Sequence, residues 1–262
     1  MLHQELSADG TRRIVLVAGR GNALGPKLLA EIERSFDPGT HESGPVVLAG
    51  RGRSFCTGLD LIGAWDFDRA RMRDLMERFH RALRAVLLWP GPVVAELQGH
   101  ALAGGALLAL CADRRLMAHG DARFGIHGVQ LGVVYPQIAV EVLRWRLERP
   151  LVESVLYGGQ IRPGHEALEL GLVDELVESD ALTATALECA SRLAAPEGLK
   201  STVLTPVAAR IEDIDPVGME TWLDRWFEPE TRARVGAARA ALLIRTGARP
   251  GEISPEHPEE QK

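Results

Sequence analysis

The sequence predicts an α/β protein with a mostly parallel sheet, and two observations carry that prediction. Short β-branched runs alternate with helical patterns through the first two thirds of the chain, and this order requires crossover connections between strands. The 262 residues are 46% apolar and 25% charged, which is an ordinary globular composition. A chain of this length hides roughly 70% or more of its unfolded surface, so it needs no disulfide or structural metal to fold.

The first elements follow from local periodicity. Runs of branched apolar residues predict strands, and apolar residues three or four positions apart predict amphipathic helices. The predicted strands cover residues 13–17, 45–49, 92–97 and 115–118. The predicted helices that alternate with them cover residues 26–36, 69–88 and 104–111.

The rest of the chain is predicted to be mainly helical. Helices are expected at residues 137–147, around 151–156 and from 181 onward, with a short or edge strand at 172–177. We expect a core, a helical C-terminal region and a disordered Pro/Glu-rich tail, at residues 1–193, 194–249 and 250–262. An aromatic cluster in the C-terminal region fits either internal packing or a subunit interface; its members are Trp222, Trp226 and Phe227.

Charge, cysteine content and hydropathy exclude several classes of protein. With 30 basic and 36 acidic residues, the formal charge of −6 argues against a nucleic-acid surface. Three cysteines without a CxxC pair argue against a disulfide framework or a zinc site. The N-terminus lacks the apolar core of a signal peptide, and the longest apolar stretch is about half of a bilayer span. We therefore expect a cytoplasmic protein that uses no membrane, metal or redox cofactor.

A first glycine-rich turn runs from Gly19 to Gly25, between a predicted strand and a predicted helix. Its GxGxxxG spacing is weak evidence for a dinucleotide-binding turn. Because Arg51 and Arg53 follow the second strand where an acidic residue is required for NAD, this alternative is restricted to an NADP-binding domain.

Two further glycine-rich turns, at residues 50–61 and 99–113, each follow a strand, and the second leads into an apolar helix. Small residues at such turns let a ligand approach backbone amides, and a helix N-terminus favours negative charge. Two turns that face each other supply two N–H donors to one carbonyl oxygen, which is the arrangement of an oxyanion hole. The pair of turns therefore predicts a site of this kind.

From about Arg13 to Glu178 the chain resembles the crotonase family of enoyl-CoA hydratase/isomerase-like proteins. The resemblance rests on ordered motifs at the family's spacing, which are Asn22–Leu24, Ser54–Asp60, Gln98–Gly105, Ala122–Gly132 and Ala167–Val177. It implies a spiral of ββα units with a helical C-terminal region, an acyl-CoA thioester as substrate, and a homotrimer or a dimer of trimers.

The resemblance also assigns roles to individual residues. It places the thioester oxygen between the backbone N–H groups of Leu59 and Gly104. It assigns contacts with CoA to Arg20, Thr57, Asp60, Leu61 and Ile62. The carboxylates of Asp60 and Asp113 are also expected to hold their own turns. We expect pocket walls from residues 62–67 with Phe79, Ile126 and Tyr135.

The sequence departs from the family at the positions that carry its chemistry. Hydratases of this family use two glutamates to hold and activate water, and the matching positions here are Leu107 and Gly128. Neither residue can transfer a proton. His127 lies beside the second position and can titrate near neutral pH, so it is the predicted acid–base residue. Weaker candidates, which ordinary packing or helix polarity also explains, are His100, Tyr135, Glu141, Asp66 and Asp68.

Three hypotheses follow. The first is an enzyme that stabilises the enolate of an acyl-CoA thioester and catalyses an isomerisation, a decarboxylation or a similar reaction, without hydrating an enoyl group. The second is a catalytically silent acyl-CoA-binding protein or partner subunit, because both glutamate positions are lost. The third is the NADP-binding domain.

Overall fold

A computed structural model describes residues 1–19, 21–193 and 198–246. Arg20 and the tail predicted at 250–262 lie outside the described residues, as do residues 194–197 at the predicted boundary of the core. The strands are β1 (Leu2–Leu6), β2 (Arg12–Leu16), β3 (Val46–Gly50), β4 (Ser54–Cys56), β5 (Val93–Leu97), β6 (His100–Leu102), β7 (Arg114–Ala118), β8 (Arg123–Gly125), β9 (Ile161–Pro163) and β10 (Glu175–Val177).

Helices connect and cover these strands. They are α1 (Pro26–Ser35), α2 (Arg69–Leu87), α3 (Gly104–Cys111), α4 (Gln137–Arg146), α5 (Arg149–Gly158), α6 (Gly164–Glu169), α7 (Leu182–Arg192), α8 (Leu199–Arg210), α9 (Pro216–Phe227) and α10 (Pro229–Thr246), with a 3-10 turn at Gly128–Leu131. Among the described residues, no helix combines the length and the apolar character that crossing a membrane requires.

Two sheets organise the fold. The larger has the strand order β1-β2-β3-β5-β7-β10, and the smaller has the order β4-β6-β8-β9. Strands β3, β5 and β7 are parallel neighbours in the larger sheet, and β4, β6 and β8 are parallel neighbours in the smaller one. Each strand of the first set continues into one of the second set and then into a helix. This repetition is the spiral of ββα units that the family resemblance implies, and the predicted fold class is confirmed.

The apolar residues form two cores on opposite faces of the larger sheet. The main core lies between the sheet, the smaller sheet and helices α1 to α4, and it includes the fully buried helix α3. A smaller cluster forms where α7 covers the other face, against Val47, Val94 and Leu116. Because β3 and β5 are covered on both faces, they read as continuous apolar runs, with Glu96 as the exception.

The sequence locates most of the long elements to within one or two residues, and helix α3 is predicted with its observed bounds. The prediction misses five strands. The four strands of the smaller sheet have only three residues each, and β1 is largely exposed and polar, so none of them shows a clear strand pattern in the sequence. The strand predicted at 172–177 is shorter and covers Glu175–Val177.

The C-terminal aromatic cluster is internal. Trp222 and Trp226 are 3% and 2% exposed within a single chain. Their rings stack at a centroid distance of 5.3 Å with an interplanar angle of 13°. This cluster therefore fits internal packing, and it gives no support to the predicted trimer.

Candidate active site

A cavity of about 110 Å³ lies between the glycine-rich turns of the ββα units and helix α9. It is lined mainly by apolar side chains. The lining residues include Leu59, Gly104, Leu107, His127, Gly128, Phe79, Ile126, Tyr135, Trp222 and Trp226. The structure thus brings the two predicted amide donors, the predicted acid–base residue and both positions matched to glutamates to one cavity.

The two predicted amide donors come from turns in close contact. A Cβ atom built on Gly58 would lie 2.9 Å from the nitrogen of Gly104. Leu24 donates its N–H to Gly58 O and accepts from Asp60 N–H, and this pattern leaves the N–H of Leu59 unused. The N–H of Gly104 begins helix α3, where no intrahelical acceptor exists. Neither N–H donates to an acceptor among the described residues.

The backbone at the start of α3 is strained. Ala103 has φ 49 and ψ −120, a conformation that L-residues rarely adopt, and its N–H donates to Gly125 O at 2.7 Å. Gly105 packs so closely on β4 that an added Cβ would lie 2.1 Å from Cys56 O. The fold therefore fixes the N-terminus of α3 tightly against the other turn, which keeps the Gly104 amide in one position.

Side-chain hydrogen bonds join the first glycine-rich turn to the second. The Asn22 side chain donates to the carbonyls of Arg51, Ser54 and Phe55 and accepts from Ala18 N–H at 3.0 Å. Asn22 itself has a left-handed φ of 56. Its side chain therefore occupies the space between the turns and joins them, which is a structural role for the Asn22–Leu24 motif.

Of the described residues assigned to CoA, two line the cavity and two do not. Thr57 and Leu61 line the cavity, and the Thr57 hydroxyl donates to Gly21 O. The Asp60 carboxylate accepts from the N–H groups of Ile62 and Gly63 at 3.1 and 3.0 Å, so it holds its turn as expected. The Ile62 side chain is buried in the core. Contact of these residues with CoA stays a prediction.

His127 contributes an imidazole to the cavity. Its Nδ1 is buried and forms no regular hydrogen bond with the described residues. Burial lowers the pKa of the His127 imidazole, and the backbone of Gly125 partly opposes this shift. The neutral ring, which can accept a proton, therefore dominates at pH 7.

The weaker acid–base candidates have structural partners. The Tyr135 hydroxyl donates to Ile126 O and accepts from Val129 N–H, and burial raises the pKa of Tyr135. Glu141 pairs with Arg144 and Arg210 and does not line the cavity.

The remaining candidates lie outside the cavity lining. His100 Nδ1 accepts from Arg123 N–H, Asp68 caps helix α2 by accepting from Arg71 N–H, and Asp66 is exposed. Asp113, the second expected turn-holding carboxylate, accepts from Val93 N–H and from Lys200 Nζ.

No carboxylate from the described part of the chain lines the cavity. Leu107 is 4% exposed and adds an apolar side chain from α3. Gly128 adds no side chain, and a Cβ atom there would meet Tyr135 Cε1 and Val133 Cγ2 at 3.4 Å. The ionisable side chains of the lining are those of His127 and Tyr135.

The walls differ in part from those expected. Phe79, Ile126 and Tyr135 line the cavity as expected, whereas residues 62–67 do not. The 131–134 segment and the tryptophans of α9 take their place. The sequence shows these tryptophans as an aromatic cluster. Their contact with the cavity depends on how α9 packs over the ββα core, which no local sequence pattern predicts.

Comparisons with known proteins show the family to which the chain belongs. The family model described as enoyl-CoA hydratase/isomerase matches residues 14–216. A putative enoyl-CoA hydratase of Thermus thermophilus is 33% identical over 195 residues, covering 70% of this chain and 74% of that protein. A crotonyl-CoA hydratase of Syntrophomonas wolfei is 28% identical over 219 residues, covering 81% and 80% of the two chains. The chain belongs to the enoyl-CoA hydratase/isomerase family.

Solved structures share the fold. The human mitochondrial delta3-delta2-enoyl-CoA isomerase superposes with a TM-score of 0.86 at 22% identity, covering 93% of this chain and 98% of that one. An enoyl-CoA hydratase from Bacillus halodurans gives 0.75 at 21% identity, covering 90% and 99%. Because relatives with different reactions share this fold, the reaction has to be argued from the cavity.

Proposed function

We propose that this protein binds an acyl-CoA thioester with the thioester oxygen between the N–H groups of Leu59 and Gly104, and that it catalyses an enolate reaction other than hydration. The observation that carries the proposal is an apolar cavity with two unused amide donors, an imidazole and no carboxylate in its described lining. Donors fixed in advance stabilise negative charge as it develops on the oxygen, and in a protease one such donor contributes about 10²–10³ in rate.

His127 is the proposed proton carrier. In an isomerisation the neutral imidazole takes a proton from the acyl chain, the C–H electron pair moves onto the thioester to give the enolate, and the two amides hold the oxyanion. The imidazolium then returns the proton to a different carbon, so the double bond moves and the composition does not change. In a decarboxylation of a 2-carboxyacyl thioester, the C–C bonding pair stays on the α-carbon as CO₂ leaves, which gives an enolate that the two amides hold; the α-carbon then takes a proton from water or from the protonated imidazole.

Hydration is disfavoured by the same lining. Addition of water requires a group that orients and deprotonates it, and carboxylates do this work in the family. Leu107 and Gly128 offer neither a lone pair nor a proton at the matching positions.

The first experiment titrates the protein with acyl-CoA thioesters by calorimetry and then follows 3-enoyl-CoA and crotonyl-CoA by absorbance at the enoyl band. We expect binding, conversion of 3-enoyl-CoA to the conjugated 2-enoyl thioester, and no hydration of crotonyl-CoA. Rapid loss of the crotonyl band would overturn the non-hydratase assignment. Absence of binding would overturn the acyl-CoA assignment, and NADP binding would then support the dinucleotide alternative.

A second candidate function is a catalytically silent acyl-CoA-binding protein. Leu107 and Gly128 favour it, because neither side chain can transfer a proton. Binding without exchange of the acyl α-hydrogens in D₂O would identify it, because exchange reports enolate formation even when no product accumulates. The homotrimer or dimer of trimers, the cytoplasmic location and the absence of a metal or redox cofactor stay predictions. Among the described residues, no group of three or more His, Cys, Asp and Glu side chains could hold a metal ion.

A further inference from the structure

A second, smaller cavity adjoins the cavity proposed to hold the acyl group. Its volume is about 20 Å³, and its lining includes His80, Gln137, Ile214, Asp215 and Met219. The side chains of Met76, Pro136 and Trp222 line both cavities. These three residues, which we call the dividing wall, therefore lie between the two spaces.

Met76 takes its place in the dividing wall from the geometry of helix α2. Phe79, three residues later, lines the acyl cavity, and a Cβ atom built on Gly104 would lie 3.0 Å from its ring. His80, four residues later, lines the smaller cavity. Because residues three and four apart share a helix face, Met76 lies one turn from the ring that contacts the Gly104 turn. An acyl chain that starts at the Gly104 amide and fills the cavity therefore meets Met76.

The Met76 side chain has no space to move into. It is 2% exposed, and the smaller cavity behind it holds little more than one water molecule. Trp222 is also held, because its ring stacks on that of Trp226 at a centroid distance of 5.3 Å. A methionine normally adapts to irregular space, but here the dividing wall is packed on both sides.

Hydrogen bonds fix the segment that leads into α9, the helix that carries Trp222. Gln137 of α4 donates to Arg210 O at 2.7 Å and accepts from Asp215 N–H at 3.1 Å. His80 Nε2 of α2 lies 3.0 Å from Ile211 O. These contacts hold the start of α9 to α2 and α4, so the tryptophan of the dividing wall does not swing away to lengthen the acyl cavity.

The acyl cavity is small for a site that binds an acyl chain. Its volume of about 110 Å³ is below the roughly 150 Å³ of an engineered apolar cavity that holds one benzene molecule. By this comparison it has room for an acyl group of about four to six carbons. A longer chain needs the space that the dividing wall occupies.

We propose that Met76 sets the upper limit of acyl chain length and that the substrates are short, apolar acyl-CoA thioesters. The proposal rests on the acyl-CoA function proposed above and names a residue that selects among its substrates. The limit comes from a side chain that fills the space between two cavities.

The test titrates the protein with butyryl-, hexanoyl-, octanoyl- and decanoyl-CoA by calorimetry. We expect octanoyl- and decanoyl-CoA to bind at least tenfold more weakly than the tighter of the two shorter thioesters. Affinity that does not fall between hexanoyl- and decanoyl-CoA would overturn this inference and leave the proposed function standing. If no thioester binds more tightly than free CoA, the proposed function itself is wrong.

Variants of α2 test the role of Met76. Met76→Ala joins the two cavities, and each buried methylene contributes about fourfold in affinity, so the ratio of the octanoyl-CoA to the hexanoyl-CoA dissociation constant should fall at least tenfold. Met72→Ala is the matched control, because Met72 is fully buried one turn earlier on α2 and lines neither cavity. It should lower stability and keep the ratio.

Met76→Val shortens the side chain with a smaller loss of packing, so it provides the measurement if Met76→Ala does not fold. We expect the same ratio to fall in this variant, by a smaller factor. A ratio that stays unchanged in the folded Met76 variants, or that falls equally in Met72→Ala, would show that the dividing wall does not set the chain length.

Discussion

Gly58 and Gly104 lie in van der Waals contact at the point where the two glycine-rich turns meet. A Cβ on Gly58 would come within 2.9 Å of both Gly104 N and Ala103 Cβ, and a Cβ on Gly104 would lie 3.4 Å from Gly58 Cα. Gly58 also has a left-handed φ of 91. The two proposed amide donors are thus held at a separation that leaves no room for a side chain.

Gly58→Ala is expected to disrupt both stability and binding. The left-handed φ and the contact with the Gly104 turn together should lower the free energy of unfolding by about 3 kcal/mol, and displacement of the turn should weaken acyl-CoA binding at least tenfold. Urea denaturation and calorimetry measure the two effects.

Gly52→Ala is the matched control for this substitution. Gly52 has a similar φ of 83, but no atom lies within 4 Å of its added Cβ. It should cost about 1 kcal/mol through the backbone alone and leave binding unchanged. If Gly58→Ala behaves like Gly52→Ala, the close contact of the turns does not matter.

His127→Gln tests the proposed proton carrier. Loss of a positioned acid–base group should lower kcat by roughly 10²–10⁴ with a much smaller change in the dissociation constant of the substrate. Because burial lowers the pKa of His127, the wild-type rate should stay constant above that pKa and fall as the pH decreases through it, as the imidazole becomes protonated. An unchanged kcat, or a rate that rises on acidification, would contradict the assignment.

How far the sequence predicts the fold depends on the length of each element. Helix α2 carries a clear amphipathic pattern and an Asp68 cap, so its bounds are visible in the sequence. Strands β4, β6 and β8 have three residues each, too few for any periodicity, and their pairing joins residues such as Ser54 and His100 that are distant in the chain.

The candidate site divides in the same way. Leu59, Gly104 and His127 lie in glycine-rich motifs that local sequence displays, and all three line one cavity. Trp222 and Trp226 lie in α9, which carries no such motif, and their place in the cavity wall depends on how α9 folds back over the core. Tertiary packing of this kind leaves no local pattern in the sequence.

Arg13 and Glu96 provide a prediction about stability away from the cavity. Arg13 donates to both oxygens of Glu96 at 2.9 and 2.8 Å, and Thr183 of α7 donates to the same carboxylate. Since Glu96 is 3% exposed, Arg13→Met leaves a buried charge unpaired and should cost about 3 kcal/mol of unfolding free energy. The double variant Arg13→Met/Glu96→Met should recover part of that loss in urea denaturation. Additive costs would show that the two residues are uncoupled.

Gly128→Glu tests whether the missing carboxylate limits the reaction. Gly128 has no left-handed φ, and an added Cβ meets its neighbours at 3.4 Å, so a side chain fits with a small adjustment. A glutamate at the cavity can deprotonate water, and the variant should hydrate crotonyl-CoA at least tenfold faster than Gly128→Gln, which matches its shape without its basicity. Loss of the enoyl absorbance measures both rates. Equal rates in two variants that melt at the same temperature would contradict the prediction that a carboxylate at this position alone activates water, since Leu107 still stands at the other glutamate position.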